Sequence, residues 1–138
     1  MTALTSGRDT LARTNKIRGV LTKANTKGYA GGIAVLDAGY AKPAVTATSL
    51  IAIGRFEHDY DNTGGVDGDV TAMVQAGEYC WSNSTAGDAI TQADVGQDCY
   101  LVDDQTVAKT SASGTRSRAG VIAGVDTKGV WVNMGLGI

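Results

Sequence analysis

The densest set of groups able to do chemistry is Glu57-His58-Asp59-Tyr60-Asp61-Asn62-Thr63-Gly64-Gly65-Val66-Asp67-Gly68-Asp69. Its carboxylates and its Asn, on a Gly-rich stretch, are the oxygen ligands that a hard cation such as calcium takes. Asp59, Asp61, Thr63 and Gly64 fit the opening of an EF-hand loop, but the position that should supply a bidentate carboxylate is Val70. A solvated acidic hairpin loop without a cation is therefore expected. His58 is the sole histidine, so every Ser/His/Asp or Cys/His arrangement would have to use it. Its carboxylate neighbours favour the protonated ring, which is no base. One His and the distant pair Cys80 and Cys99 make no zinc ligand set. No glycine-rich loop ends in Gly-Lys-Ser/Thr, and Asp103-Asp104 is an ordinary surface pair. Neither an enzyme nor a cofactor is expected. Cys80 and Cys99 read as two half-buried strand thiols, with a single bridge as the alternative.

The cations offer a different chemistry, that of contact with another molecule. Residues 1–27 carry Arg8, Arg13, Lys16, Arg18, Lys23 and Lys27 against Asp9 alone, a balance of +5. Residues 28–138 carry six basic and thirteen acidic groups, a balance of −7. A basic arm on an acidic body lies on something acidic. The arm's cations are dispersed and no aromatic precedes Tyr29, so a neighbouring protein is expected ahead of nucleic acid. A second candidate contact is Ser111-Ala112-Ser113-Gly114-Thr115-Arg116-Ser117-Arg118, a loop of small residues carrying Arg116 and Arg118 for carboxylates of an adjacent subunit.

The elements that must position these groups are strands. The 138 residues include 19 Gly, 19 Ala, 16 Thr and 7 Ser, against only 28 Val, Ile, Leu and Phe together. Such a chain folds as one domain, because its charge is low, but its core is thin and neighbours should add stability. Short β-branched runs recur between Gly, Asn and Asp, and helical periodicity is absent. Strands are expected at 32–37, 45–47, 50–55, 70–75, 78–82, 99–103, 107–109, 119–125 and 130–134. That spacing belongs to an all-β fold, a small sandwich or barrel-like domain over 28–138 with an extended basic N-terminal arm at 1–27. Asp126-Thr127-Lys128-Gly129 reads as a hairpin turn, with Val130, Val132 and Met134 on one face of the next strand. Thr91-Gln92-Ala93-Asp94-Val95-Gly96 reads as the chain's one short helical turn, Asp94 reaching back to the Thr91 cap and Gly96 stopping it. The longest aliphatic run, Leu50-Ile51-Ala52-Ile53, is too short to span a membrane, and the opening residues show no secretory pattern.

The second half resembles a known family through longer strings. These are Ala76-Gly77-Glu78-Tyr79, Trp81-Ser82-Asn83-Ser84, Asp88-Ala89-Ile90-Thr91-Gln92-Ala93-Asp94-Val95-Gly96 and Cys99-Tyr100-Leu101-Val102-Asp103-Asp104-Gln105-Thr106-Val107-Ala108. Gly114-Thr115-Arg116-Ser117-Arg118-Ala119-Gly120 and Gly129-Val130-Trp131-Val132 follow, with Gly28-Tyr29-Ala30 a looser match upstream. The stretch resembles small head decoration, or cement, proteins of tailed bacteriophages and prophages. The resemblance implies a β-rich body, made in the host cytoplasm, that sits outside the assembled capsid and ties major capsid subunits together. It supplies no catalytic residue. A homo-oligomer is expected, trimer ahead of dimer, because capsid lattices offer threefold axes. Other readings are a tail-tube or head–tail connector subunit, and a carbohydrate- or host-surface-binding module using Tyr79, Trp81 and the acidic loop.

Overall fold

Alternation of apolar and polar residues, interrupted by glycine, gives this chain twelve short strands in a computed structural model that describes residues 2–138. The first eight are β1 (Ile17–Leu21), β2 (Lys27–Gly28), β3 (Ile33–Asp37), β4 (Tyr40–Pro43), β5 (Ile51–Phe56), β6 (Tyr60–Asp61), β7 (Thr71–Gln75) and β8 (Gly77–Asn83). After two 3₁₀ turns, Ala86–Asp88 and Gln92–Asp94, come β9 (Asp98–Leu101), β10 (Thr106–Ala108), β11 (Arg118–Asp126) and β12 (Gly129–Met134). The fold is all-β.

The second half closes on itself as a five-stranded barrel in the order β10-β8-β12-β11-β9. Closure needs tight bending, and glycine permits it. Gly120 lies at a register shift between β11 and β9, where a Cβ would stand 2.3 Å from the Asn133 carbonyl oxygen. The β11–β12 hairpin turns as its residues dictate: Asp126 Oδ1 accepts the Lys128 N–H at 2.8 Å, and Gly129 has φ +145°. Val130, Val132 and Met134 all point into the barrel and are fully buried.

The first half is a sheet in the order β1-β7-β5-β3-β4. It curls until the chain leaving β1 meets β4, where Lys23 N–H donates to the Ala41 carbonyl at 2.8 Å beside a Thr22–Ala41 bridge. Its concave side holds Ala34, Ala41, Ile53, Phe56, Tyr60, Ala72 and Val74. Ile33, Val35, Leu50 and Ala52 instead join the barrel residues Leu101, Val107, Ile122 and Val132 in one cluster, so the two halves share a core. Thin as that core is, large side chains sit at its centre and Ala and Gly let the backbones approach.

Four sequence expectations change. The arm does not run to residue 27: β1 pairs along its length with β7, and Lys27–Gly28 pairs with Tyr60–Asp61, so the extended segment ends at Lys16. Residues 45–47 form no strand, because Pro43 ends β4 and the chain then crosses toward the barrel, Thr46 donating to the Val102 carbonyl. Tyr40–Pro43, which lies outside the expected strands, is a strand. There are two short helical turns rather than one, the extra one at Ala86–Asp88. The turn at Gln92–Asp94 follows expectation, since the Asp94 carboxylate accepts the Thr91 N–H at 2.8 Å.

Candidate interaction surface

The acidic loop is more than a solvated turn, because its carboxylates are bonded to backbone donors. Asp59 accepts the Ala30 N–H, Asp61 that of Thr63, Asp67 that of Ala24 and Asp69 that of Val66. Asn62, buried at its centre, donates from Nδ2 to the Lys23 carbonyl at 2.9 Å and the Val66 carbonyl at 3.0 Å. Gly64 N–H returns a bond to Asn25 Oδ1 at 3.0 Å. Asp59 and Asp67 hold residues 24–30 onto the body, and Asp61 and Asp69 brace the loop itself, by satisfying backbone donors that would otherwise lack a partner. No group of three or more His, Cys, Asp or Glu among the described residues is placed to share an ion. His58 bridges the same region, one ring nitrogen on the Asp59 carbonyl and Nε2 accepting the Met73 N–H at 3.0 Å.

The thiols stay unbridged, Cys99 buried and Cys80 half-buried. Burial pushes the Cys99 thiol up to about 12, and burial raises Cys80 too. Both shifts disfavour the thiolate. Trp81 points into the barrel with Nε1 on the Met134 sulfur at 3.3 Å, and Tyr79 lies under Arg55, whose guanidinium is 4.4 Å from the ring centroid. The aromatic pair that a sugar platform would need is thus spent on packing.

The eight candidate contact cations do not converge. Lys23 lies 3.9 Å from Asp37, a carboxylate that Lys42 shares at 3.5 Å, and Lys27 sits over the Tyr29 ring. Arg116 is mostly buried and braces its own loop, pairing with Asp88 at 3.2 Å and donating to the Thr110 carbonyl at 3.1 Å. Thr110 donates to Asp88 as well, and this bond and the Arg116 contact hold that carboxyl below the usual range. Arg118 pairs with Asp98 at 2.8 Å and donates to the Ile138 carbonyl. Arg18 donates to the Asn15 carbonyl at 2.8 Å. Among the described residues Arg8, Arg13 and Lys16 make no ion pair, and all three are exposed on the extended segment.

The sequence reading missed a surface that adjoins this segment. On either side of β1, the Lys16 carbonyl accepts the Ala76 N–H at 2.7 Å and the Thr22 N–H donates to the Val70 carbonyl at 2.9 Å. Antiparallel alternation then aims the backbone groups of Ile17, Gly19 and Leu21 away from β7, and the Thr22–Ala41 bridge to β4 leaves those of Ile17 and Gly19 open. The same three residues present the outer face: Ile17 is 47% exposed, Leu21 49%, and Met73 across the ladder 37%. Ile17-Arg18-Gly19-Val20-Leu21 carries no clean period-2 alternation, and its open edge depends on which partner occupies the other side.

No family model matches this chain, and comparison with curated proteins and with solved structures finds no match either.

Proposed function

We propose that this protein is a structural component of a virus head, a decoration or cement protein that binds the outer surface of an assembled bacteriophage capsid and links neighbouring proteins there. The observation that carries the reading is the division of the molecule. Residues 2–16 are an exposed, extended segment with three cations that make no ion pair among the described residues, attached to a closely hydrogen-bonded β body. The acidic-loop carboxylates and His58 of that body are engaged in holding its own loops and strands. The resemblance of residues 76–132 to phage head proteins points the same way. A segment and a body joined in one chain bind as a linked pair, which multiplies affinity without new contacts. Binding only to the assembled state stabilises the shell by mass action.

Electron cryo-microscopy of heads assembled with and without the chain tests this. Extra density on the outer surface, and heads that resist heating better when it is present, are expected. Deleting residues 2–14 should weaken attachment, and attachment of the full chain should fall with salt, because exposed charges are screened. Particles that show neither added density nor a change in heat resistance refute the reading.

A further inference from the structure

We propose that the open edge of β1 takes, as an added strand, the extended N-terminal segment of a second copy of this chain, with Leu11 of the donor lying over Gly19 of the acceptor. Strand addition needs a free edge, and this molecule keeps one open. The barrel closes on itself, and β4 is engaged at Ala41 by the Thr22–Lys23 segment and carries Lys42 and Pro43, residues that discourage edge pairing. On β1 the edge groups of Ile17 and Gly19 have no such cover. Gly19 leaves a gap between the exposed Ile17 and Leu21 side chains, floored by Thr71 Cγ2 and Met73 Sδ at 3.2 and 3.5 Å from where a Cβ would be.

The donor has the matching pattern. Thr10-Leu11-Ala12-Arg13-Thr14 alternates, with Leu11 and Arg13 on one face, and Leu11 is 94% exposed, an apolar side chain with nothing to cover it. Charge favours the same encounter: residues 1–16 carry three cations and one acid, the remainder nine cations and thirteen acids, or +2 against −4. Reach allows it as well. Thirteen extended residues span roughly 43 Å, against roughly 17 Å for a five-residue edge, which leaves chain to cross between copies.

The segment does not serve its own edge. Lys16 is already in the strand line through its bond from Ala76, and neither Asn15 nor Lys16 has the left-handed backbone of a two-residue hairpin turn. The segment's one backbone hydrogen bond within residues 2–14 is internal, from Thr10 to Arg8. Donor and acceptor surfaces differ, so the contact is heterologous, giving a ring where the rotation between copies closes and an open filament where it does not.

The test uses the full chain in solution with no particle present, so its failure leaves the capsid reading standing. Leu11→Cys and Gly19→Cys variants, mixed and mildly oxidised, should yield a disulfide between residues 11 and 19 of different chains. In natural protein the Ile17, Gly19 and Leu21 amides should exchange about tenfold more slowly as concentration rises, and deleting residues 2–14 should abolish that protection. Absence of the 11–19 link together with concentration-independent exchange overturns the proposal. A link formed only within one chain, in the double variant at high dilution, overturns it too.

Discussion

Asn62 is the residue whose replacement best tests how the acidic loop is built. Its buried amide nitrogen donates to two carbonyls, those of Lys23 and Val66. Each keeps another donor when Asn62 is truncated: Thr26 Oγ1 bonds Lys23 at 2.8 Å, and Asp69 N–H bonds Val66 at 3.2 Å. The loss in Asn62→Ala is thus two hydrogen bonds rather than two orphaned carbonyls, about 1 kcal/mol each, with a small cavity bringing the total to about 2–3 kcal/mol. For a chain of this size that lowers Tm by about 7–10 °C. Asn62→Asp separates polarity from shape. A carboxylate there would face two carbonyl oxygens with nothing to donate, so at neutral pH it should cost more than alanine, about 3–5 kcal/mol. The carboxyl would hold its proton more tightly folded than unfolded. Above the unfolded value of about 3.9 the native state binds more protons, so the variant's deficit grows with pH and shrinks toward pH 4. Urea titrations of parent and variants at pH 7 and pH 4.5 measure both effects. Equal losses for the two variants at both pH values, or losses below about 0.5 kcal/mol for either, would refute this account of the loop.

Three further outcomes are expected. Gly129→Ala should cost about 2–4 kcal/mol in denaturant titrations, because its Cβ would stand 2.3 Å from the Trp81 carbonyl at φ +145°, whereas Gly124→Ala, with open space around it, should stay within about 0.5 kcal/mol of the parent. Replacing Asp59, Asp61, Asp67 and Asp69 together by Asn preserves an oxygen for each backbone donor, so each site should lose under about 1 kcal/mol and calcium should leave Tm unchanged; a rise of several degrees with calcium, lost in the Asn variant, contradicts this. Stability should hold between two flanks. Hydrogen bonds hold Asp88, Asp94 and Asp126 below 3.8, so the unfolded chain takes up protons first and stability falls as pH drops through that region. Cys99, at about 12 against 9.0 unfolded, makes stability decline as pH rises above 9, and thermal melts from pH 3 to pH 11 would register both edges.

What the sequence made legible follows from how local each signal is. The β11–β12 hairpin could be read residue by residue, because Asp126 and Gly129 specify the turn and Val130, Val132 and Met134 specify the buried face without help from elsewhere. The Thr91–Asp94 cap is local in the same way. The extent of the arm was not, because six cations dominate residues 1–27 and charge reports nothing about backbone pairing; β1 is a strand only because β7, fifty residues on, lies beside it. The two-residue pair β2–β6 is likewise a long-range product. The acidic loop misled for a related reason. Composition counted its carboxylates, but whether Asp67 faces water or the Ala24 N–H depends on residue 24 being brought to residue 67.

The same dependence on distant partners explains why the open β1 edge escaped the sequence reading and where it lies. A closed barrel has no edge to offer, so in this chain the second half supplies shared core and rigidity while pairing capacity is left to the curled first half. There the segment leaving the molecule and the open edge meet within three residues, Thr14 on one and Ile17 on the other. In a ring of copies each subunit would then give and receive at adjacent points of its backbone. Pairing at the β1 edge of one copy would fix the direction in which its own Lys16 sends the donor segment, since Lys16 is held by Ala76 at the start of the same strand. Occupying one edge would thereby order the next donor, and ring closure would be cooperative without any change in the β body.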